Sequence, residues 1–144
     1  MPVITASGLV KRAEALGVAD RVRLVGQCDD MPAALMLADV VVHASVQPEA
    51  FGRVVIEAQA MGRPVIASDL GGPAETVEQG VTGWRVPPGD ASALASSIEQ
   101  VLALDAEQRA ALAERARAAV HDNYTVGAMQ AATLGVYREV IGLA

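Results

Sequence analysis

The run Val40-Val41-Val42-His43-Ala44-Ser45 constrains the fold more than any other stretch of the chain. It is β-branched and continuously apolar at its start, with no alternation of polar and apolar side chains. Such a run is typical of a strand covered on both faces. Pro64-Val65-Ile66-Ala67-Ser68 repeats the pattern, and two shorter runs, Val22-Arg23-Leu24-Val25-Gly26 and Gly83-Trp84-Arg85-Val86, lie on either side of the pair. The segments between and after them read as helices. Leu9, Val10, Ala13 and Leu16 recur at helical spacing over residues 7–16, and Gly17 ends that helix. A short helix over 31–38 carries Pro32 in its first turn, where a missing N–H costs little. Residues 53–61 form the next, stopped by Gly62, and Gly71-Gly72-Pro73 opens another to about residue 79. Asp90, Asp105 and Thr125 are placed to cap helices over 91–104, 106–121 and 126–141 by accepting from free N–H groups of the first turn.

Short buried strands alternating with helices imply right-handed βαβ units and a parallel sheet covered on both faces, an α/β, Rossmann-like fold. The 144 residues suit one domain. Hydrophobic residues are 52% and aromatics 3%, so the core is expected to be built from Ala, Val, Leu, Ile and Met. Met31, Met36 and Met61 read as core filling. Residues 105–144 are an Ala- and Arg-rich helical segment, expected to pack across the sheet or toward another domain.

Composition excludes some roles. A net charge of −6 with a single lysine, Lys11, argues against a nucleic-acid partner. The lone Cys28 cannot form an internal disulfide and fits a reducing compartment, and nothing in the pattern pairs it with His43 or His121 as a nucleophile. No apolar run is long enough to span a bilayer, and residues 1–10 lack the features of a signal peptide. A cytoplasmic location is expected, with peripheral membrane association of a larger protein compatible. No His/Asp cluster has ligand spacing, so no metal is expected.

In an open parallel sheet, ligands bind beyond the carboxyl ends of the strands. That selects residues 26–30, 45–53, 68–75 and 87–90. In the second of these, Ser45 ends a strand, Pro48 stiffens the turn and Glu49 lies in the loop. Phe51-Gly52 then enters a helix, with Gly52 allowing close approach to the backbone. The N–H groups of Arg53, Val54 and Val55 are expected to be free in the first turn, forming with the helix dipole an anion site suited to a diphosphate. Glu57 follows one turn on, where a carboxylate can accept two hydrogen bonds from a vicinal diol such as a ribose. Gly71 and Gly72 suggest a second close approach. Blander readings stand beside these. Glu57, Glu49 and Arg53 could be solvated charges, Glu75 could only stabilise a helix start, Trp84 reads as core, and His43 is either a core histidine or a crevice residue at a strand end.

The stretch PEAFGRVVIEAQAMGRPVIASDLGGPAETVEQGVTGWRVPPGD resembles the donor-binding half of the large retaining glycosyltransferase family of the GT-B fold, often called family 4 or group 1. Glu49 and Glu57, separated by seven residues, match its glutamate pair. Ala58, Gly62, Pro64, Val65, Ala67 and Ser68 match the helix and strand that follow. Gly71, Gly72 and Glu75 match its G-G-x-x-E turn, and Thr82-Gly83 its hairpin region. The likeness runs over about residues 21–104. It implies that Glu57 holds the nucleotide ribose and that Glu49, the catalytic candidate, contacts the donor sugar ring. It further implies that Ser45, Phe51, Gly52, Arg53, Val54, Val55, Gly71 and Gly72 surround the sugar and phosphates, and that Val25 and Gly26 line the base. The implied reaction moves a sugar from a UDP- or GDP-type donor to an acceptor hydroxyl with retention, without a bound metal or other cofactor.

Three departures accompany the likeness. Ala50 replaces the Gly that usually follows the first glutamate, and Val54 stands where Pro is frequent. The family's Gly-Arg strand end and its following Lys, which neutralise the diphosphate, have no counterpart in residues 1–20, where Lys11-Arg12 lies within a helical pattern. The chain is therefore expected to be a C-terminal fragment lacking its first strands and the N-terminal acceptor domain, and inactive alone. An exposed sheet edge would invite a homodimer or domain swap. Two rival readings are a non-catalytic nucleotide-sugar-binding or assembly module, separated from the first by nucleotide-sugar titration, and a GT-B nucleotide-sugar epimerase, disfavoured by the glutamate pair with the G-R-P-V-I-A-S strand.

Overall fold

A computed structural model describes residues 5–142. It divides into two compact units, Met1–Met31 and Pro32–Ala144. In the first unit, α1 (Ala6–Ala15) is capped by Thr5, whose hydroxyl accepts from the Gly8 N–H. Lys11 and Arg12 both lie on this helix. A single 3₁₀ turn spans Ala19–Arg21. The strand expected over 22–26 is not formed. Those residues are irregular, and Val22, Leu24 and Val25 are 37%, 47% and 84% exposed. An apolar run becomes a strand only when a neighbour takes up its N–H and C=O groups, and among the described residues no strand pairs with it.

The second unit is built on a parallel sheet in the order β1-β2-β3, with β1 Val41–His43, β2 Val65–Ser68 and β3 Trp84–Val86. Val42 stands opposite Ile66, and Ile66 opposite Trp84. Central β2 is buried along its whole length. Its alternate side chains point to opposite faces, and each face has its own core. Val65 and Ala67 pack with Leu35, Val55, Ala58 and Val77. Ile66 packs with Trp84, Val86, Val101 and Leu112. Trp84 is therefore core, as its setting in the sequence suggested. The opening run behaves differently. β1 is an edge strand and exposes Val42, so of the two runs read as buried strands β2 is buried and β1 is not. Burial depends on a strand's place in the sheet order, which its own composition does not carry.

The helices are α2 (Met31–Met36), α3 (Arg53–Ala60), α4 (Gly72–Thr76), α5 (Ala91–Leu102), α6 (Ala106–Asn123) and α7 (Val126–Val140). All three expected caps form. Asp90 accepts from the Ala93 N–H at 2.9 Å, Asp105 from Gln108 at 2.8 Å, and Thr125 from Ala128 at 3.2 Å. Gln108 returns a bond to the Asp105 N–H and completes a capping box. α6 packs on α3 and buries Leu112 and Ala116. α7 buries no residue and exposes Val126, Met129, Leu134, Tyr137 and Val140. No helix among the described residues is long and apolar enough to cross a membrane.

Arg109 closes the end of α5. Its guanidinium donates to the Val101 carbonyl at 2.9 Å, to Leu102 and Leu104 at 3.1 Å, and across to the Asp39 carbonyl at 3.2 Å. Orphan carbonyls of a helix end and the approach to β1 are thus held by one side chain. Arg109→Met is expected to cost about 1–2 kcal/mol, read as a lower urea midpoint with an unchanged slope. An unchanged midpoint would remove Arg109 from the account of stability.

Candidate functional site

The loop after β1 is shaped by its own residues before any ligand is considered. The Ser45 hydroxyl donates to the Gln47 carbonyl at 2.8 Å and lies 3.3 Å from the Gln47 N–H, which forms a local turn just past the strand end. At the far end Gly52 adopts φ 77°, ψ 56°, and serves as N-cap of α3 without a side-chain bond. A left-handed conformation there favours glycine. Pro73 also stands 2.9 Å from where a Gly52 Cβ would be, so the position is constrained by packing as well.

The Glu49–Gly52 loop is locked to the turn before α4. Gly72 N–H donates to the Glu49 carbonyl at 2.8 Å. A Cβ on Gly71 would overlap the Glu49 backbone, and one on Gly72 would meet Phe51 C at 2.5 Å. Gly71 has φ 63°, ψ −145°, a region essentially reserved for glycine. The close approach expected at this glycine pair is real, but what approaches is the neighbouring loop. Gly72 is buried and its N–H is spent on Glu49.

The amides at the start of α3 also differ from expectation. Val55 N–H bonds the Gly52 carbonyl at 2.9 Å, and Val55 is fully buried. It leaves the set of free amides because the first turn tightens on its own cap. Arg53 and Val54 keep N–H groups with no partner among the described residues, so two amides rather than three are free at this helix end. Arg53 itself is 83% exposed and reaches Glu57 Oε1 at 3.0 Å, an i,i+4 pair on the helix surface. Surface pairs of this kind contribute about 0.3–0.5 kcal/mol, so a ligand with better hydrogen bonds can displace Arg53 from Glu57.

Glu49 has a partner that its sequence neighbourhood does not announce. His43 Nε2 lies 2.6 Å from Glu49 Oε2, with the histidine side chain 15% exposed and the glutamate 44%. His43 reads from the sequence as a core or crevice histidine, without this partner; Gln59 was missed altogether. It is wholly buried two positions beyond Glu57, and its Nε2 faces the Thr76 carbonyl at 3.3 Å, the Thr82 carbonyl at 3.2 Å and Thr82 Oγ1 at 3.1 Å. Its spacing of four from the core residue Val55 was the available signal, since both fall on one helix face.

His43, Glu49 and Gly52 end or follow β1, at the carboxyl end of the sheet, whereas Gln59 reaches Thr82 before the start of β3. A cavity of about 200 Å³ opens at the carboxyl end, lined by Ala44, Ser68 and Val86 at or just past the ends of β1, β2 and β3, and by Asp90. In the first unit, Gly26 has a positive φ and open space around it, and Val25 is 84% exposed. The arrangement offers two carboxylates and two free amides on one loop-helix junction, chemistry suited to hydroxyl groups beside a phosphate.

A sequence profile described as "Glycosyl transferases group 1" matches residues 5–119. Among curated proteins, the chain is 36% identical over 121 residues to a phosphatidyl-myo-inositol mannosyltransferase of Mycobacterium leprae, covering 83% of this chain and 32% of that one. It is 42% identical over 111 residues to a D-inositol 3-phosphate glycosyltransferase of Salinispora tropica, covering 76% and 23%. The chain thus spans about a third of the length of its curated relatives, or less. Among solved structures, a glycosyltransferase from Rickettsia africae superimposes with a TM-score of 0.87 at 32% identity, over 94% of this chain and 36% of the other. Anabaena HepE in complex with UDP-glucose superimposes with a TM-score of 0.82 at 35% identity, over 90% and 36%. These neighbours cover the α/β architecture described above.

Proposed function

The chain belongs to the group 1 glycosyl transferase family, and on that premise we propose that it is the donor-binding part of a retaining, family-4-type hexosyltransferase. The donor is a nucleotide-diphosphate sugar of UDP or GDP type. Glu57 accepts from the ribose hydroxyls, the Arg53 and Val54 amides meet the diphosphate, and Glu49 contacts the sugar. The observation that carries this reading is the junction itself, where Glu49 and Glu57 flank two free amides at the carboxyl end of a parallel sheet. HepE, solved with UDP-glucose, supports it by likeness. Transfer also needs an acceptor held against the donor. We assign that to surfaces beyond the residues shared with the relatives, so the present chain is expected to bind donor without turnover.

Calorimetric titration with UDP, GDP, UDP-glucose and GDP-mannose tests the reading. Binding of one nucleotide and its sugar is expected, and Glu57→Ala should weaken both by about tenfold or more, the scale of hydrogen bonds to a charged group. No binding at millimolar ligand would overturn the donor site. Turnover with any donor would overturn the division of labour.

A further inference from the structure

We propose that His43 is a positioning residue, which holds one carboxylate oxygen of Glu49 so that the other is presented to a hydroxyl of the donor sugar. This rests on the reading of Glu49 as the sugar contact. A carboxylate is an acceptor only, so His43 Nε2 carries the hydrogen in this pair. The contact is 2.6 Å and joins a nearly buried side chain to a half-exposed one. His43 ends β1 in register with Ala67 of the buried central strand, so its backbone is set by the sheet. His43 Nδ1 is buried and has no partner among the described residues, which leaves Glu49 as the single polar tether of the ring.

Glu49 is then fixed at two points. Gly72 N–H holds its carbonyl and His43 holds Oε2. Oε1 has no partner among the described residues. A glutamate on a loop would otherwise have several torsions to order when a sugar arrives, and ordering them beforehand raises affinity for the ligand that uses them. A hydrogen bond between two exposed, mobile side chains would contribute little, but this one is anchored in the sheet at its histidine end. The expected effect is therefore specific to the sugar moiety: the nucleotide part of the ligand is held through Glu57 and the amides of α3, which His43 does not touch.

The test compares His43→Ala, His43→Phe and His43→Gln with the unaltered protein. The readout is the ratio of affinities for UDP-glucose and UDP, or for GDP-mannose and GDP if the guanosine pair is the one bound. Ala removes the donor, Phe fills the space without it, and Gln places an N–H near the Nε2 position. The sugar-to-nucleotide ratio should fall about tenfold in Ala and Phe and stay within about threefold of the unaltered protein in Gln. An unchanged ratio in Ala and Phe overturns the assignment while leaving the donor site standing. An equal loss of both ligands in all three variants also overturns it, since His43 would then only maintain the fold. If the unaltered protein binds neither sugar nucleotide, the donor-site reading falls and takes this proposal with it.

Discussion

Replacing Gly72 by alanine is expected to lower stability by about 2–3 kcal/mol, a drop in Tm of roughly 8–12 °C, and to weaken binding of the sugar nucleotide by about 2 kcal/mol, roughly thirtyfold. The added methyl would stand 2.5 Å from Phe51 C, in backbone that cannot rotate away as a side-chain tip would. Relief requires the turn before α4 to move off the Glu49–Gly52 loop, which breaks the Gly72 N–H bond to the Glu49 carbonyl and tilts the cap of α3. Both carboxylates and both free amides shift together. Gly135→Ala is the control. Gly135 lies within α7 with open space around it, so alanine there should stabilise by about 0.5–1 kcal/mol through helix propensity. Thermal unfolding and calorimetry on both variants decide the matter. If Gly72→Ala melts with the unaltered protein and binds the donor equally well, the two loops are not locked as described.

The second large effect concerns Gln59. Three acceptors face its Nε2: the Thr76 and Thr82 carbonyls and Thr82 Oγ1. Gln59→Leu keeps the volume and strands those groups in the core, at about 1–3 kcal/mol for each group left unpaired. Thr82 Oγ1 suffers least, because it still accepts from the Glu78 N–H at 3.0 Å. A total loss of about 3 kcal/mol is expected. Gln59→Glu should be worse, because it turns the donor into another acceptor and buries a charge among carbonyls. The expected order of Tm is unaltered protein, then Leu, then Glu. Gln59→Glu melting at or above Gln59→Leu would mean that the Nε2 donor bonds to the two carbonyls do not hold this part of the core as described. Because Gln59 ties α3 to α4 and to the turn before β3, and Glu57 lies two residues upstream, both variants are also expected to bind the donor more weakly.

The sequence carried whatever depends on near neighbours. Asp90, Asp105 and Thr125 cap their helices because a cap needs only its own side chain and an N–H three residues on. The Val65–Ser68 run was legible as a buried strand, and the spacing of Glu49 and Glu57 was legible as a loop followed by a helix turn. The likeness to the group 1 glycosyl transferases rested on the same local strings, and the family profile covers them.

Tertiary structure decided what depends on residues far apart in the chain. Residues 22–26 have strand composition and no strand, for want of a hydrogen-bonding neighbour. The strand at residues 41–43 lies at an edge because of sheet order. Gly71 and Gly72 admit a loop from some twenty positions earlier, Gln59 bonds Thr82 twenty-three residues away, and His43 meets Glu49 only because the loop turns back over the end of β1. Spacing within one turn of helix or one strand pleat is set by backbone geometry and can be read directly. Contacts across loops are set by how the sheet and helices pack around β2, and no single segment contains that information.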